Sequence, residues 1–231
     1  MDTKISVIIP VLNEAALIGT LLQHLKKEAY APSSLELIVV DGGSSDATVQ
    51  IALSEADRVI RSERGRAKQM NLGAMNANST ILYFVHADTF PPKHYDRYIR
   101  EAHGKGATAG CFRMRFDTKN WFLRFFAWLS KINHTLCRGG DQTLFVTKAV
   151  FEHTGRFDEE YLIYEDSEFI RRLYKTTKFH VLPYAVITSA RKYRQKGWLK
   201  VQFHFGMIHL KNYLGASPKH LFQYYKKNIL T

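Results

Sequence analysis

The sequence is poor in cysteine and has no long apolar run. Of its 231 residues only Cys111 and Cys137 are cysteines, and neither belongs to a Cys-x-x-Cys pair or a Cys/His cluster. This excludes a disulfide framework and a zinc-finger type of site, so we expect two reduced thiols. No stretch approaches the roughly 18 to 20 apolar residues that span a bilayer, and the start lacks the apolar region of a signal peptide. We therefore expect a cytoplasmic protein, with a peripheral position at the inner face of the membrane as a second option.

Acidic residues are also missing from the end of the chain. The formal net charge is +12, and after Glu168 thirteen Lys or Arg residues follow without a single Asp or Glu. These basic residues are mixed with Tyr, Phe and Trp. Such a surface attracts nucleic acid, anionic lipid or a phosphorylated substrate, and charge alone does not choose among them.

The first half of the chain alternates short β-rich runs with helical patterns. This alternation is typical of strand-helix-strand units and predicts an α/β fold with a mostly parallel central sheet flanked by helices, followed by a helical C-terminal segment. Asn13 is a plausible N-cap of the first helix, and Asp46 of the second. The predicted strands are residues 5–9, 37–40, 58–60, 81–85, 108–116, 143–146 and 179–182.

Two loops that follow predicted strands, residues 10–14 and 41–48, are polar and rich in turn-forming residues. Ligands of open α/β sheets bind beyond the carboxyl ends of the strands. In the loop Asp41-Gly42-Gly43-Ser44-Ser45-Asp46, the Asp41 carboxylate can accept a hydrogen bond from a nucleobase N–H, and the glycines allow backbone to approach a planar ring. The other reading is a capped tight turn without a ligand.

The fourth strand runs into His86-Ala87-Asp88, which places two potential metal ligands one residue apart. A hard divalent ion that bridges a carboxylate and a diphosphate needs few protein ligands, because substrate and water fill the other positions. The alternative is a strand-end Asp that caps the following turn.

Glu165-Asp166 opens a later predicted helix behind a partly apolar segment. Carboxylates in such surroundings suit a general base, and the alternative is a pair of acids that complements the helix dipole. The loop Gly140-Asp141-Gln142 is rich in hydrogen-bonding groups and is compatible with either a ligand site or a turn.

The order of these pieces resembles glycosyltransferase family 2, whose members are inverting enzymes with the GT-A fold, a Rossmann-like α/β fold. The resemblance covers residues 5 to 175 and is carried by the opening strand ending in Pro10-Val11-Leu12-Asn13-Glu14, the Val39–Thr48 loop, Arg64 to Gly73, His86-Ala87-Asp88 and Glu165-Asp166. The segments His86-Ala87-Asp88-Thr89, Gly140-Asp141-Gln142 and Ser189-Ala190-Arg191 are together similar to those of a bacterial branch of the family associated with arsenosugar biosynthesis.

The resemblance implies one domain with a nucleotide-sugar-binding half (1–90), an acceptor and catalytic half (91–195) and basic aromatic helices (196–231). It implies transfer of a sugar from a uridine-type nucleotide donor to an unidentified acceptor hydroxyl, with Mn²⁺ or Mg²⁺ as cofactor. The implied roles are catalysis for Asp166 with Glu165, nucleotide binding for Pro10, Val11, Glu14, Asp41, Gly43, Arg66 and Lys68, metal binding for Asp88 with His86 as a second candidate ligand, and sugar contacts for Gly140, Asp141, Gln142 and Arg191.

The sequence departs from the family pattern at His86, which stands where the metal motif has its first Asp. A nucleotide-sugar-binding or catalytically weak protein at a membrane surface is therefore the alternative. A nucleotidyltransferase would open with a Gly-rich, Arg-containing loop, and nucleic-acid-binding motifs are missing, so neither class is expected. The aromatic run Trp121–Leu129 predicts a helix that is buried, forms a subunit contact in a homo-oligomer, or rests on an anionic membrane near a lipid-linked or amphiphilic acceptor.

Overall fold

Eight strands form one sheet in the computed structural model, which describes residues 3–230. The strands are β1 (Ile5–Val11), β2 (Leu35–Asp41), β3 (Arg58–Arg61), β4 (Ile81–Phe84), β5 (Thr89–Phe90), β6 (Ala109–Phe116), β7 (Leu144–Thr147) and β8 (Phe179–Thr188). The α-helices are α1 (Ile18–Glu28), α2 (Thr48–Glu55), α3 (Arg66–Asn76), α4 (Tyr95–Gly104), α5 (Trp121–Leu129), α6 (Lys148–His153), α7 (Glu165–Thr176), α8 (Arg191–Lys196), α9 (Trp198–Tyr213) and α10 (Pro218–Tyr225). Short 3₁₀ turns lie at Pro32–Ser34, Thr135–Cys137 and Gly140–Gln142, and a π-helical turn at Lys226–Leu230.

The sheet is mixed, with the strand order β3-β2-β1-β4-β7-β6-β8-β5. Strands β1 to β4 are parallel to one another, as the alternation of strands and helices predicts. Strand β7 runs antiparallel to both β4 and β6, and β5 runs antiparallel to β8, while β6 and β8 are parallel. The prediction of a mostly parallel sheet is therefore wrong for the second half of the sheet, where the chain no longer proceeds by regular strand-helix-strand units.

The chain order reverses direction across the sheet between β1 and β4. Strands β2 and β3 extend to one side of β1, and everything after β4 continues on the other side. A crevice opens beyond the carboxyl ends of the strands at such a point, which is where open α/β sheets bind ligands. The loops after β1 and β4 are therefore the first places to look for a site.

Both faces of the sheet are covered, because alternate residues of β1 enter separate cores. Val7 and Ile9 join the core under α1 and α4, and Ile8 joins the core under α3 and α7. A methyl group on Gly73 of α3 would lie 2.5 Å from the Ile8 side chain, so only glycine allows this close approach of helix to strand. Phe169 of α7 packs 5.3 Å and 4.6 Å from the rings of two further core aromatics, Phe151 and Phe157, which holds α7 against the sheet.

Local structure departs from the sequence predictions at the start of α1 and the end of β8. Helix α1 begins at Ile18, and Asn13 is not its N-cap, because its positive φ of 55° and its side-chain contacts belong to the loop after β1. Strand β8 continues six residues past its predicted end at Leu182, through Pro183, with a register shift against β6 between Phe112 and Arg113. No helix within residues 3–230 is both long enough and apolar enough to cross a membrane.

Candidate active site

The loops after β1 and β2 are tied together by hydrogen bonds. The backbone N–H of Asn13 donates to Ser44 Oγ (2.9 Å), and the Asn13 side-chain oxygen accepts from the Ser45 N–H (2.8 Å). The Glu14 N–H donates to Thr48 Oγ1 (2.8 Å). Asp46 accepts from the Thr48 N–H at the start of α2 and from the Ala15 N–H of the β1 loop, although the N-cap position of α2 is Ala47, one residue later than predicted. The two loops therefore form one rigid edge of the crevice.

Gln69 of α3 hydrogen-bonds to the strand ends that precede these two loops. Its side chain is buried, and its amide donates to the carbonyl oxygens of Val11 (2.8 Å) and Val40 (2.7 Å), so it connects the ends of β1 and β2. The same amide lies 3.0 Å from the position that a side chain on Gly42 would take, so glycine gives the loop room there. The sequence analysis missed Gln69. A usable signal was its position beside Met70 and one helical turn before Gly73, which makes it a polar residue on the buried side of the helix.

Asp41 is almost fully buried at the end of β2, and its carboxylate accepts from the backbone N–H groups of Gly43 (3.0 Å) and Ser44 (3.1 Å). Gly43 has a φ of 93°, a conformation that suits glycine. Beside them lies a cavity of about 270 Å³, lined by the polar residues Asp41, Ser44 and Arg61 and the apolar residues Val49, Leu53 and Val59.

His86, directly beyond β4, contacts the first turn of α7. Its Nε2 atom lies 3.4 Å from Oδ2 of Asp166, and both side chains are largely buried. Burial lowers the pKa of the His86 imidazole, but the hydrogen bond and the charge of Asp166 outweigh burial, and the net pKa is raised above its usual range. The structure thus pairs the His86 imidazole with a carboxylate 80 residues further along the chain.

Glu165, the neighbour of Asp166, is buried without a conventional partner. Its side chain is 1% exposed, and neither carboxylate oxygen has a hydrogen-bond partner among residues 3–230. Burial raises the pKa of Glu165, and the nearby Asp166 raises it further. The nearest cation is Arg66 at the start of α3, whose Nη1 lies 3.7 Å from Glu165 Oε1. Tyr164, with a φ of 72°, makes the sharp turn that presents the two acids together.

Three further carboxylates face the same crevice from separate loops: Glu14, Asp88 and Asp141. Burial raises the pKa of Glu14, and Asp88 adds to that rise while Arg191 opposes it. Asp141 is exposed at the edge of the crevice, yet partial desolvation by its neighbours raises its pKa, and the charge of Asp88 again contributes. Asp88 is therefore within electrostatic range of both other acids.

The repulsion among these acids is what a divalent cation would relieve. No cluster of three or more His, Cys, Asp or Glu side chains within residues 3–230 is arranged to hold a metal by itself. Mg²⁺ at diphosphate sites uses only one or two carboxylates, with phosphate and water completing its shell. Asp88, with Asp141 beside it, fits that requirement, whereas His86 is directed to Asp166.

Basic residues line the crevice as well. Arg191 Nη2 lies 3.5 Å from Glu14 Oε2, which connects the start of α8 to the β1 loop. Lys192 donates to the Tyr225 hydroxyl (3.3 Å), and the charge of Lys192 also acts on Asp141. The sequence analysis missed Lys192 and Tyr225, because nothing in the local pattern of the C-terminal region indicates that it folds back over this crevice.

Several residues predicted to contact substrate have other partners. Pro10 and Val11 are buried in β1, and Lys68 pairs with Glu63. The Gln142 side chain is buried and bonds to Arg138 and to the Cys137 carbonyl oxygen (2.6 Å). The structure thus brings together Glu14, His86, Asp88, Asp141, Glu165, Asp166, Arg66 and Arg191, and leaves these four side chains in the supporting structure.

Comparison with protein families finds a match over residues 6–194 to the family described as Glycosyl transferase family 2. Among proteins of known name, the chain is 26% identical over 196 residues to the probable glycosyltransferase YdaM of Bacillus subtilis, covering 74% of this chain and 46% of that protein. It is 26% identical over 199 residues to the succinoglycan biosynthesis protein ExoA of Rhizobium meliloti, covering 75% of this chain and 59% of that protein. The chain thus spans about half the length of these relatives.

Solved structures show the same fold. A mannosyltransferase from Pyrobaculum calidifontis, in complex with GDP-Man and Mn²⁺, superposes with a TM-score of 0.73 at 18% identity, covering 99% of this chain and 68% of that one. TarS from S. aureus in complex with UDP superposes with a TM-score of 0.63 at 21% identity, covering 80% of this chain and 60% of that one. At these identities the likeness concerns the fold, an α/β fold of GT-A type with a mixed sheet.

Proposed function

The chain belongs to glycosyl transferase family 2, and from that premise we propose that it transfers a sugar from a nucleotide sugar, with a uridine-type nucleotide, to an acceptor hydroxyl with inversion. The observation that carries the proposal is the placement of the Asp166 carboxylate beside His86, at the crevice beyond the carboxyl ends of β1 and β4. A general base belongs at that point, opposite the loops that would hold the donor.

The donor would lie across the loops after β1 and β2. The cavity beside Asp41 supplies apolar walls for a planar base and polar groups for its edge. The hydrogen bonds between the two loops keep this platform rigid before the donor binds, which lowers the ordering cost of binding. Gly43, Glu14 and Asp41 are the nucleotide contacts that we propose.

The diphosphate would lie towards Asp88 and Asp141. Mn²⁺ or Mg²⁺ bound there by Asp88 would supply Lewis-acid stabilisation of the departing diphosphate. Arg66, which is more than half exposed, offers a further positive charge at the same crevice. Arg191 and the Gly140–Gln142 turn border the space left for the transferred sugar and the acceptor.

Asp166 is the base in this proposal. Its carboxylate accepts the proton of the acceptor hydroxyl while the acceptor oxygen bonds to the anomeric carbon. The bond from that carbon to the phosphate oxygen breaks, and the nucleoside diphosphate leaves from the opposite side. His86 donates a hydrogen bond to Asp166 and holds its side chain, and the buried Glu165 retains Arg66 near the site.

A screen of nucleotide sugars tests this proposal. Purified protein is heated with UDP-, GDP- and TDP-sugars, each with and without Mn²⁺. A donor at 100 times its dissociation constant stabilises the protein by about 2.7 kcal/mol, which gives a readily measured rise in melting temperature. We expect stabilisation by a UDP-sugar, and slow release of UDP without acceptor. Failure of every nucleotide sugar to stabilise the protein would refute the proposed activity.

The alternative, a nucleotide-sugar-binding protein with little activity, is favoured by one observation: among residues 3–230 no three-ligand metal cluster is preassembled. The same screen separates the two, because a binding protein would be stabilised by donor without releasing nucleotide. A role in arsenosugar biosynthesis stays a prediction from the sequence, as do the division of the chain at residues 90 and 195 and a homo-oligomeric state.

A further inference from the structure

Helix α5 presents an apolar stripe to solvent. Trp121 is 75% exposed, and Phe125 and Trp128 are each 51% exposed; they follow one another at intervals of four and three residues on one side of the helix. The other side carries Leu123 and Ala127, which are buried against the protein. The predicted burial of this helix is therefore correct for one side only.

Helix α9 has the same two-sided character. Leu199, Phe203 and Leu210 are exposed along one side, with Phe203 at 64%, while Val201 and Ile208 on the other side are buried. The exposed positions are spaced by four and seven residues and so share one side of the helix.

The two helices are in contact. The ring of Phe122 in α5 lies 4.5 Å from that of Trp198 at the start of α9. The exposed Trp121 directly precedes Phe122 in the chain, and the exposed Leu199 directly follows Trp198. We call the exposed residues of both helices, Trp121, Phe125, Trp128, Leu199, Phe203 and Leu210, the aromatic surface.

The charged Lys and Arg side chains of α5 and α9 have no acidic counterpart within these two helices. The segments 118–140 and 169–231, which carry both helices, contain no Asp or Glu. Lys119, Arg124, Lys131 and Lys200 are exposed in or beside these helices. An apolar stripe bordered by cations is complementary to a bilayer with anionic headgroups, where aromatic rings enter the interface and basic side chains contact lipid phosphate.

We propose that the aromatic surface docks peripherally on an anionic lipid bilayer. A second copy of the chain does not fit this surface as well, because two such faces would bring cations together with no acidic residue in these segments to pair with them. Nucleic acid would pair with the basic side chains, but it would leave the exposed tryptophan side chains in water.

Docking there would bring the bilayer to the crevice. The chain runs from α5 through residues 130–139 to the turn that carries Asp141, and α9 contacts Tyr164 through a hydrogen bond between Tyr164 Oη and His209 Nδ1 (2.8 Å). An acceptor embedded in or attached to lipid would then reach Asp166 without leaving the membrane. The docking itself rests on the surface alone and is measured without donor, so it stands or falls separately from the proposed transfer.

The test is co-sedimentation with vesicles of phosphatidylcholine alone and of phosphatidylcholine mixed with phosphatidylglycerol. We expect binding to the mixed vesicles, weakened by salt, and little binding to the neutral ones. The triple variant Trp121→Ser, Phe125→Ser, Trp128→Ser should reduce the partition coefficient more than about tenfold. Each of Lys119→Gln, Arg124→Gln and Lys131→Gln should reduce it about fivefold.

The matched control is Tyr30→Ser with Met75→Ser, which removes two exposed apolar side chains from the N-terminal half and should leave vesicle binding unchanged. All the substituted positions are exposed, and circular dichroism confirms that each variant is folded. Tryptophan emission gives a direct readout: it should shift to the blue with mixed vesicles, and the shift should be lost in the triple variant.

Two outcomes would overturn the proposal. One is equal or absent binding to both kinds of vesicle. The other is self-association of the wild-type protein that the triple variant abolishes, measured by sedimentation equilibrium, since it would assign the aromatic surface to a second copy of the chain.

Discussion

His86 Nε2 lies 3.4 Å from Asp166 Oδ2, so the residue that stands in the expected metal motif contacts the carboxylate proposed as the base. This contact connects the end of β4 with the first turn of α7. It gives His86 a second role to be weighed against metal binding, and the two roles predict different kinetics.

Asp166→Asn should lower kcat by about 10² to 10⁴ and leave donor binding almost unchanged, because the amide keeps the shape of the side chain but cannot accept the proton. Single-turnover assays measure the rate, and calorimetry measures donor affinity. Asp158→Asn, an aspartate outside the crevice, is the control. Full turnover in the Asn variant would refute the assignment of the base.

His86→Ala should lower kcat by about 10- to 100-fold, because Asp166 loses the group that holds its position. The midpoint of a Mn²⁺ titration of donor binding should not move. In Asp88→Asn, by contrast, the proposed metal ligand is weakened and that midpoint should rise. If His86→Ala shifts the midpoint as far as Asp88→Asn does, His86 is a metal ligand rather than a positioning residue.

Gln69→Leu should lower the free energy of unfolding by about 1 to 3 kcal/mol, because the amide donates two hydrogen bonds to buried carbonyls at the ends of β1 and β2. Donor affinity should fall as well, since the platform beside Asp41 loosens. The matched control is Gln23→Leu on the exposed side of α1, whose effect should stay within about 0.5 kcal/mol. Urea denaturation measures the free energy of unfolding of both variants. Equal losses in the two would argue against a stabilising connection between β1 and β2 through Gln69.

His209 should make the protein less stable in mild acid. Burial lowers the pKa of His209 in the folded protein below its usual value of about 6.5. The unfolded chain therefore binds the proton more readily, so stability is full above about pH 6.5 and falls as the pH drops towards the folded pKa.

The comparison of wild type with His209→Gln isolates this effect, because the other titrating groups are common to both proteins. Urea denaturation between pH 7.5 and pH 5.5, a range of about one unit either side of the histidine value, should show the wild type losing more stability than the variant on acidification. Parallel curves would show that His209 is not responsible.

The sequence by itself determined the local features of this protein. Short runs of apolar, β-prone residues predicted β1, β2 and β4, and polar turn residues marked the loops that follow them, because strand propensity and turn chemistry are properties of neighbouring residues. It also placed Asp41, Asp88 and Asp166 at the ends or starts of elements, and the family resemblance over residues 5–175 lies largely within the family match over residues 6–194.

Only the tertiary structure decided which of these residues meet. The mixed direction of β5 to β8, the contact of His86 with Asp166, the bridge made by Gln69 and the exposed side of α5 all depend on how distant segments pack. Periodicity reports that a helix has an apolar side, but it does not report what covers that side. The crevice and the aromatic surface therefore appear only once the sheet order is known.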